Sequence, residues 1–307
     1  MRAGESSGTS ATIGGLLTEA TGRLRQSGSE SAALDAQLLL GHVLGMARAG
    51  VLAHTELVVP AAQAAAFRAA VERRGRGEPV AYIRGIKEFF GLAFSVDPRA
   101  LIPRPETESL VELCLERLRA LLTGRPRPAG SAPLLVWDVG TGSGAIAVSL
   151  AVECRRRGYA ADVRLLATDL SSDALSLATE NAVGHGVADM ITFGVADLLE
   201  PASMPADIVV ANLPYVPSAV VPSLSVAASF EPTLALDGGS DGLDLIRRLL
   251  ANLPSALAAD GMALLEIGAD QTDALRAEVQ HRLPGWQIAF HADLGGHPRV
   301  AELARPT

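Results

Sequence analysis

The stretch Asp207-Ile208-Val209-Val210-Ala211-Asn212-Leu213-Pro214-Tyr215 places an amide, a proline and an aromatic ring directly behind a β-branched apolar run. Ile208 to Ala211 read as a strand buried on both faces. Pro214 cannot continue a hydrogen-bonded ladder, so Asn212 falls where that strand opens into a loop. Open α/β sheets hold their ligands at such strand ends. There the Asn212 amide offers an acceptor and two N–H donors, the Leu213 carbonyl adds a second acceptor and Tyr215 a flat ring. The set suits a planar amide or amino group held by its own N–H donors. The tetrapeptide alone decides nothing, because Ala-Asn-Leu-Pro recurs at Ala251 to Pro254. That copy follows Leu243, Ile246, Leu249 and Leu250 at helical spacing and reads as a helix ending before proline.

A second cluster precedes it. Asp138-Val139-Gly140-Thr141-Gly142-Ser143-Gly144 sits where a strand passes into a helix. Its glycines permit a tight turn and a close backbone approach, and the helix N-terminus behind them favours an anionic group such as a carboxylate. The spacing G-x-G-x-G departs from the dinucleotide fingerprint, which would need glycine at Ala145, so the fit to NAD is poor. Asp169 ends the next strand, about where a carboxylate takes ribose hydroxyls in such sheets. Its competing role is to cap the helix that follows. Asp197, with Leu198 beside it, ends the third strand region and could accept from an adenine amino group or simply shape a turn.

The elements that must carry these residues follow from the apolar spacing. From Leu134 onward strand and helix alternate: strands at Leu134 to Asp138, Val163 to Asp169, Ile191 to Val195 and around Ile208, then Met262 to Ile267, Trp286 to Phe290 and Val300 to Leu303. Helices are expected at Ala145 to Arg156, Ser172 to Val183, Asp241 to Ala251 and Thr272 to His281. Such alternation means a doubly wound, mostly parallel sheet. Before it, residues 11–80 are rich in Ala and Leu at helical spacing and form a small helical domain, with Pro60 starting one of its helices. Tyr82 to Val96 alternate enough to predict a β-hairpin within a joining segment at 81–100, and the helix after Pro105 starts near Thr107 with acids in its first turn. Gly124 to Pro133 is a Gly/Pro-rich loop, and residues 1–10 read as a disordered lead-in.

Composition bounds the function. The chain has 307 residues, 49% of them hydrophobic, enough for a substantial core in two units. A net charge of −8 argues against general attraction to phosphate backbones. Cys114 and Cys154 are the only cysteines and the six histidines are scattered, so neither a disulfide framework nor metal catalysis is expected. No apolar run reaches the roughly 18 to 20 residues of a membrane span, and the expectation is a cytoplasmic protein.

Taken together, Asp138-x-Gly140-x-Gly142-x-Gly144, Asp169 and Asn212-Leu213-Pro214-Tyr215 resemble a class I S-adenosylmethionine-dependent methyltransferase acting on planar nitrogens. Leu101-Ile102-Pro103-Arg104-Pro105-Glu106-Thr107-Glu108, the preceding Glu88 to Leu92 and the later Glu231-Pro232 narrow this to a resemblance to the PrmC/HemK family, the peptide chain release factor glutamine N(5)-methyltransferases. The likeness runs from the N-terminal helices to Asp293-Leu294-Gly295-Gly296 and Arg299-Val300. It implies a Rossmann-like methyltransferase domain at 101–307, a substrate-recognising helical domain at 11–80, and S-adenosyl-L-methionine held by Gly140, Thr141, Gly142, Ser143, Gly144, Asp169, Leu198 and Asn212. The implied partner is a release factor, with no membrane and no direct nucleic acid. Asn212 Oδ1 and the Leu213 carbonyl would accept the two N–H bonds of a glutamine amide in a Gly-Gly-Gln loop, while Pro214 and Tyr215 shape the slot. One departure stands out. The family usually has proline where this chain has Leu213; leucine keeps the carbonyl and loses the fixed φ. The leucine form also occurs in rRNA adenine dimethyltransferases, which makes an adenine-N6 methyltransferase of RNA or DNA the runner-up. The acidic balance, the 4% aromatic content and the lack of a target-recognition segment stand against it. A non-catalytic binding module would not need both motifs intact.

Overall fold

The computed structural model describes residues 11–124, 131–200, 205–293 and 295–306. The lead-in at residues 1–10, residues 125–130 of the Gly/Pro-rich loop and Leu294 lie outside the described residues. The chain divides into two compact units, one running to Gly85 and taking in Ser225–Phe230, the other holding Ile86–Leu224 and Glu231–Thr307.

The first unit is helical: α1 Ile13–Gln26, α2 Ala32–Leu44, α3 Arg48–Ala53, α4 Ala61–Gly75 and α5 Val80–Arg84. The Thr12 hydroxyl caps α1 by accepting from Gly15 N–H, Gly45 in the left-handed region ends α2, and Pro60 precedes α4. Leu16, Leu24, Leu39, Leu40 and Phe67 form the buried core. One charge lies inside it. Asp35 is buried and accepts from Ser29 Oγ, Ser31 Oγ and Arg74 Nε, so α2 is tied to α4 by a satisfied ion pair. The hairpin expected from Tyr82 begins later. Tyr82, Ile83 and Arg84 belong to α5, because Pro79 starts a helical turn and Gly85, at φ 69°, stops it after five residues.

In the second unit β1 Ile86–Phe89 and β2 Leu92–Ser95 make the hairpin across Phe90 and Gly91, both at positive φ as a tight two-residue turn requires. Glu108 Oε1 accepts from Phe90 N–H and holds that turn to the start of α6 Glu108–Gly124. Then follow β3 Leu134–Val139, α7 Ala145–Arg156, β4 Val163–Asp169, α8 Ser172–Gly184, β5 Ile191–Val195, β6 Ala206–Ala211, α9 Asp244–Ala256, β7 Leu257–Glu266, α10 Thr272–Arg282, β8 Gln287–Ala292 and β9 Pro298–Ala304. The sheet order is β5-β4-β3-β6-β7-β9-β8, with the first five strands parallel and β9 antiparallel to both its neighbours. The expected doubly wound, mostly parallel sheet is therefore observed. Strand order reverses between β3 and β6, which is where such sheets leave a crevice for ligands.

The second Ala-Asn-Leu-Pro copy corrects one expectation. The helix does not stop before Pro254 but carries it in the last turn of α9. A proline there removes one late N–H, while Leu253 and Ala256, both fully buried, keep the final turn on the sheet.

Candidate active site

The loops after β3 and β6 open side by side, since Val139 pairs with Ala211 in register. Both line one cavity of about 270 Å³, with Gly140, Thr141, Gly142, Ser143, Asp169, Leu198, Asn212, Leu213 and Pro214 in its wall. Gly144 and Tyr215 are not part of that lining.

The glycine loop is shaped by its own neighbourhood. Gly140 and Thr141 both donate to the Thr168 carbonyl, and Gly140, Gly142 and Gly144 sit at φ 73°, 55° and 80°, a region glycine enters without strain. A Cβ at Gly142 would meet only Ala100 Cβ, at 3.9 Å, so this stretch of backbone is open to a ligand. Gly144 has a different reason to be glycine: a Cβ there would lie 3.0 Å from Ala178 Cβ, so it lets α7 approach α8. Asp169 divides its carboxylate, Oδ2 accepting from Gly142 N–H at 2.9 Å and Oδ1 from Ser171 N–H at 2.9 Å. The cap of α8 is Ser171, so the capping alternative for Asp169 is not the one adopted. Asp138 is fully buried. Its Oδ2 accepts from Thr141 Oγ1 and Ala147 N–H, its Oδ1 has no partner among the described residues, and burial pushes the carboxyl up to about 7.

The Asn212 to Tyr215 loop is held by residues far away in sequence. Asn212 Nδ2 donates to Thr107 Oγ1 at 3.0 Å, and Oδ1 has no partner among the described residues. Gln271 Nε2 donates to the carbonyls of Tyr215 and Gly242, while its Oε1 accepts from Gly268 N–H. Gly238 and Gly242 press their backbone against Pro214 and Tyr215 so closely that a Cβ on either would come within 2.6 Å of a carbonyl oxygen. Leu213 is not merely a substitute for proline. Its side chain is buried, joins the core with Val139 and Leu243, and lies over Gly140, where a Cβ would meet Leu213 Cδ2 at 3.1 Å. Behind the loop, burial pushes Glu266 up to about 7, while hydrogen bonding from Thr107 and Asn212 and the Arg299 guanidinium pull it down. The Tyr215 hydroxyl is raised by burial and by Glu266.

The remaining wall was only partly foreseen. Glu231, buried, accepts from Ile102 N–H and from Arg104 Nη2, closing the Leu101 to Arg104 segment onto Pro232. Arg248 Nη2 donates to Asp197 Oδ2 at 2.7 Å, so this acid is ion-paired at the cavity rim. Leu198 stands at φ 57°, a strained value for leucine and a common mark of a functional loop. Thr107 and Glu266 escaped the reading of the site. The one available signal for Glu266 was an acid closing the apolar run Met262 to Leu265. Among the described residues no cluster of three His, Cys, Asp or Glu could hold a metal ion, and no helix is long and apolar enough to cross a membrane.

Comparison with known proteins agrees with this architecture. Residues 15–85 match the PrmC N-terminal domain, and residues 109–221 match the ribosomal protein L11 methyltransferase (PrmA) family. The release factor glutamine methyltransferase of Moorella thermoacetica is 42% identical over 266 residues, covering 86% of this chain and 88% of that protein. That of Deinococcus radiodurans is 40% identical over 291 residues, covering 94% and 97%. Among solved structures, the hMettl16 catalytic domain in complex with MAT2A 3'UTR hairpin 6 has a TM-score of 0.53 at 14% identity, covering 79% of this chain and 81% of that one; it shares the fold.

Proposed function

The chain belongs to the release factor glutamine methyltransferases, and we propose that it transfers the methyl group of S-adenosyl-L-methionine to the glutamine side-chain amide nitrogen in a release factor's Gly-Gly-Gln loop. The observation that carries this reading is the Asn212 amide, tied inward through Nδ2 and with no partner at Oδ1 among the described residues, in the same cavity as the open backbone of Gly142. Asn212 Oδ1 and the Leu213 carbonyl are two fixed acceptors for a group with two N–H donors. An amide nitrogen is a poor nucleophile because its lone pair is delocalised into the carbonyl. Accepting both N–H bonds orients that nitrogen and favours the positive charge it gains as it attacks; the N–CH3 bond forms as the methyl–sulfur bond breaks, sulfur leaves as a neutral thioether, and the nitrogen returns to neutrality by releasing one N–H proton.

The residues present fit the cofactor. Gly142 offers open backbone before a helix N-terminus for its carboxylate, with Gly140, Thr141 and Ser143 beside it in the wall, Asp169 offers oxygens to ribose hydroxyls, and Leu198 offers an apolar face to the base. When bound, the cofactor supplies an electrophilic methyl on a sulfonium. Pro214 and Tyr215 shape the substrate side, and Leu213 packs the acceptor loop onto the glycine loop, which keeps acceptor and donor sites in register. The helical unit, residues 11–85, serves as the module that recognises the release factor, and the protein works in the cytoplasm where that factor is made. Mass spectrometry of a release factor incubated with the protein and S-adenosyl-L-methionine tests the assignment. One added methyl is expected on the Gly-Gly-Gln glutamine, and a methyl found instead on added RNA or DNA would overturn it.

A further inference from the structure

Thr107, Asn212 and Glu266 come from three distant parts of the chain and meet behind the acceptor loop. Glu266 ends β7 one residue after Leu265, which pairs in register with Ala211, so Glu266 and Asn212 leave the sheet side by side. The acid is 2% exposed and its Oε2 has no hydrogen-bond partner among the described residues. A carboxylate is costly to bury, and the transfer chemistry does not touch this one. Its surroundings supply a use.

An Asn side chain is nearly symmetric in shape. A half-turn exchanges Oδ1 and Nδ2 at little packing cost but turns an acceptor toward the substrate into a donor. The Thr107 hydroxyl cannot choose between these orientations, because it donates or accepts equally well. An ionised carboxylate can only accept. We propose that Glu266 is a positioning residue for methyl transfer: it accepts from Thr107 and Asn212, which fixes the Thr107 to Asn212 hydrogen bond in one direction and keeps Asn212 Oδ1 facing the substrate amide. The inference rests on Asn212 being the substrate acceptor. It assigns a reason for the threonine in Pro105-Glu106-Thr107 and for an acid at the end of an apolar strand.

Among the described residues, the charged and titratable groups around Glu266 are Arg299, which favours its ionised form, Glu106, which opposes it, and the neutral hydroxyl of Tyr215. Burial sets the balance, leaving the carboxyl to titrate at about 7. Below that pH a protonated Glu266 can itself donate, and the amide loses its fixed orientation. Activity should therefore rise with pH through an acid limb as Glu266 ionises; Asp138, also raised to about 7, is present in wild type and in Glu266→Gln alike, so the part of the limb lost in that variant belongs to Glu266.

The test measures kcat on a release factor across about pH 5.5 to 8.5 at saturating cofactor, for wild type and Glu266→Gln. The expected result is an acid limb near neutrality in wild type. In Glu266→Gln the Glu266 part of that limb is absent and kcat at the high-pH plateau is lower by about tenfold or more, with KM for the cofactor and the melting temperature little changed. Thr107→Val, which removes the linking hydroxyl, should lower kcat in the same way, and Thr107→Ser should restore it; this pair carries the test should Glu266→Gln not fold. An active wild type alongside a Glu266→Gln enzyme with the same plateau and the same acid limb overturns the inference alone. A wild type that methylates no release factor at any pH removes the reading of the site, and this inference with it.

Discussion

The loop after β3 and the loop after β6 leave neighbouring strands and face the same cavity, yet they are held in different ways. The Asp138 to Gly144 loop closes on the residues nearest to it: its N–H groups reach Thr168 and Asp169 at the end of the adjacent strand, and its course is set by three glycines at positive φ. The Asn212 to Tyr215 loop is braced from outside, by Thr107 some 105 residues upstream, by Gln271 downstream and by the backbones of Gly238 and Gly242. A loop that only has to keep its backbone open to a ligand can be specified by dihedral angles. A loop that has to present one side chain in one of two nearly equivalent orientations needs neighbours of defined donor and acceptor character.

The comparison is broken most severely at Asn212. Asn212→Ala removes one fixed acceptor from a closed site and is expected to lower kcat by about 10²- to 10³-fold, by analogy with deleting one preorganised polar contact. Single-turnover methylation of a release factor measures it, and a loss confined to cofactor affinity would move Asn212 to the other loop's task.

The glycine loop should respond in binding instead. Asp169→Ala is expected to weaken S-adenosyl-L-methionine by roughly 1.5 to 3 kcal/mol, the worth of a charge-assisted bond, with kcat at saturation little altered, since a ribose contact is equal in ground and transition states. Asp169→Asn keeps one acceptor oxygen and should fall between. Calorimetric titration decides: unchanged affinity would reduce Asp169 to a brace for Gly142 and Ser171.

Gly144→Ala separates architecture from binding within the same loop. A residue at φ 80°, facing Ala178 at 3.0 Å, should cost about 1 to 3 kcal/mol of stability, read as a lowered melting temperature, while the folded enzyme keeps its cofactor affinity. Lost affinity at an unchanged melting temperature would give Gly144 the direct cofactor contact that its place outside the cavity lining argues against.

The smallest effect on turnover is expected at Leu213. Its N–H makes no hydrogen bond among the described residues, so Leu213→Pro keeps the acceptor carbonyl and favours the extended conformation of Asn212. Activity should stay within about threefold of wild type, while the lost packing over Gly140 lowers thermal stability. An enzyme as inactive as Asn212→Ala would mean that the loop depends on the leucine side chain for its course.

Strand and helix alternation from Leu134 onward, the strand-end placement of Asp138, Asp169 and Asn212, and the helical character of residues 11–80 are all properties of local spacing. The chain alone therefore determined them. A parallel sheet buried on both faces writes itself as β-branched runs, and a tight turn writes itself as glycine. Where several local choices compete, the sequence was less decisive. Pro254 continued a helix because buried neighbours held its last turn, and Tyr82 to Arg84 coiled because Pro79 and Gly85 bracket them.

Only the tertiary structure decided what stands behind the acceptor loop. Thr107, Glu266, Gln271 and the glycines at 238 and 242 carry no spacing relation to Asn212, since their proximity is created by β6 and β7 pairing in register and by chain segments folding back across the strand ends. Hydrogen bonds and charges act over a few ångströms of space, whatever the separation along the chain. The partners that orient the Asn212 amide, and the burial that raises Glu266, therefore became visible only once the sheet had brought these segments together.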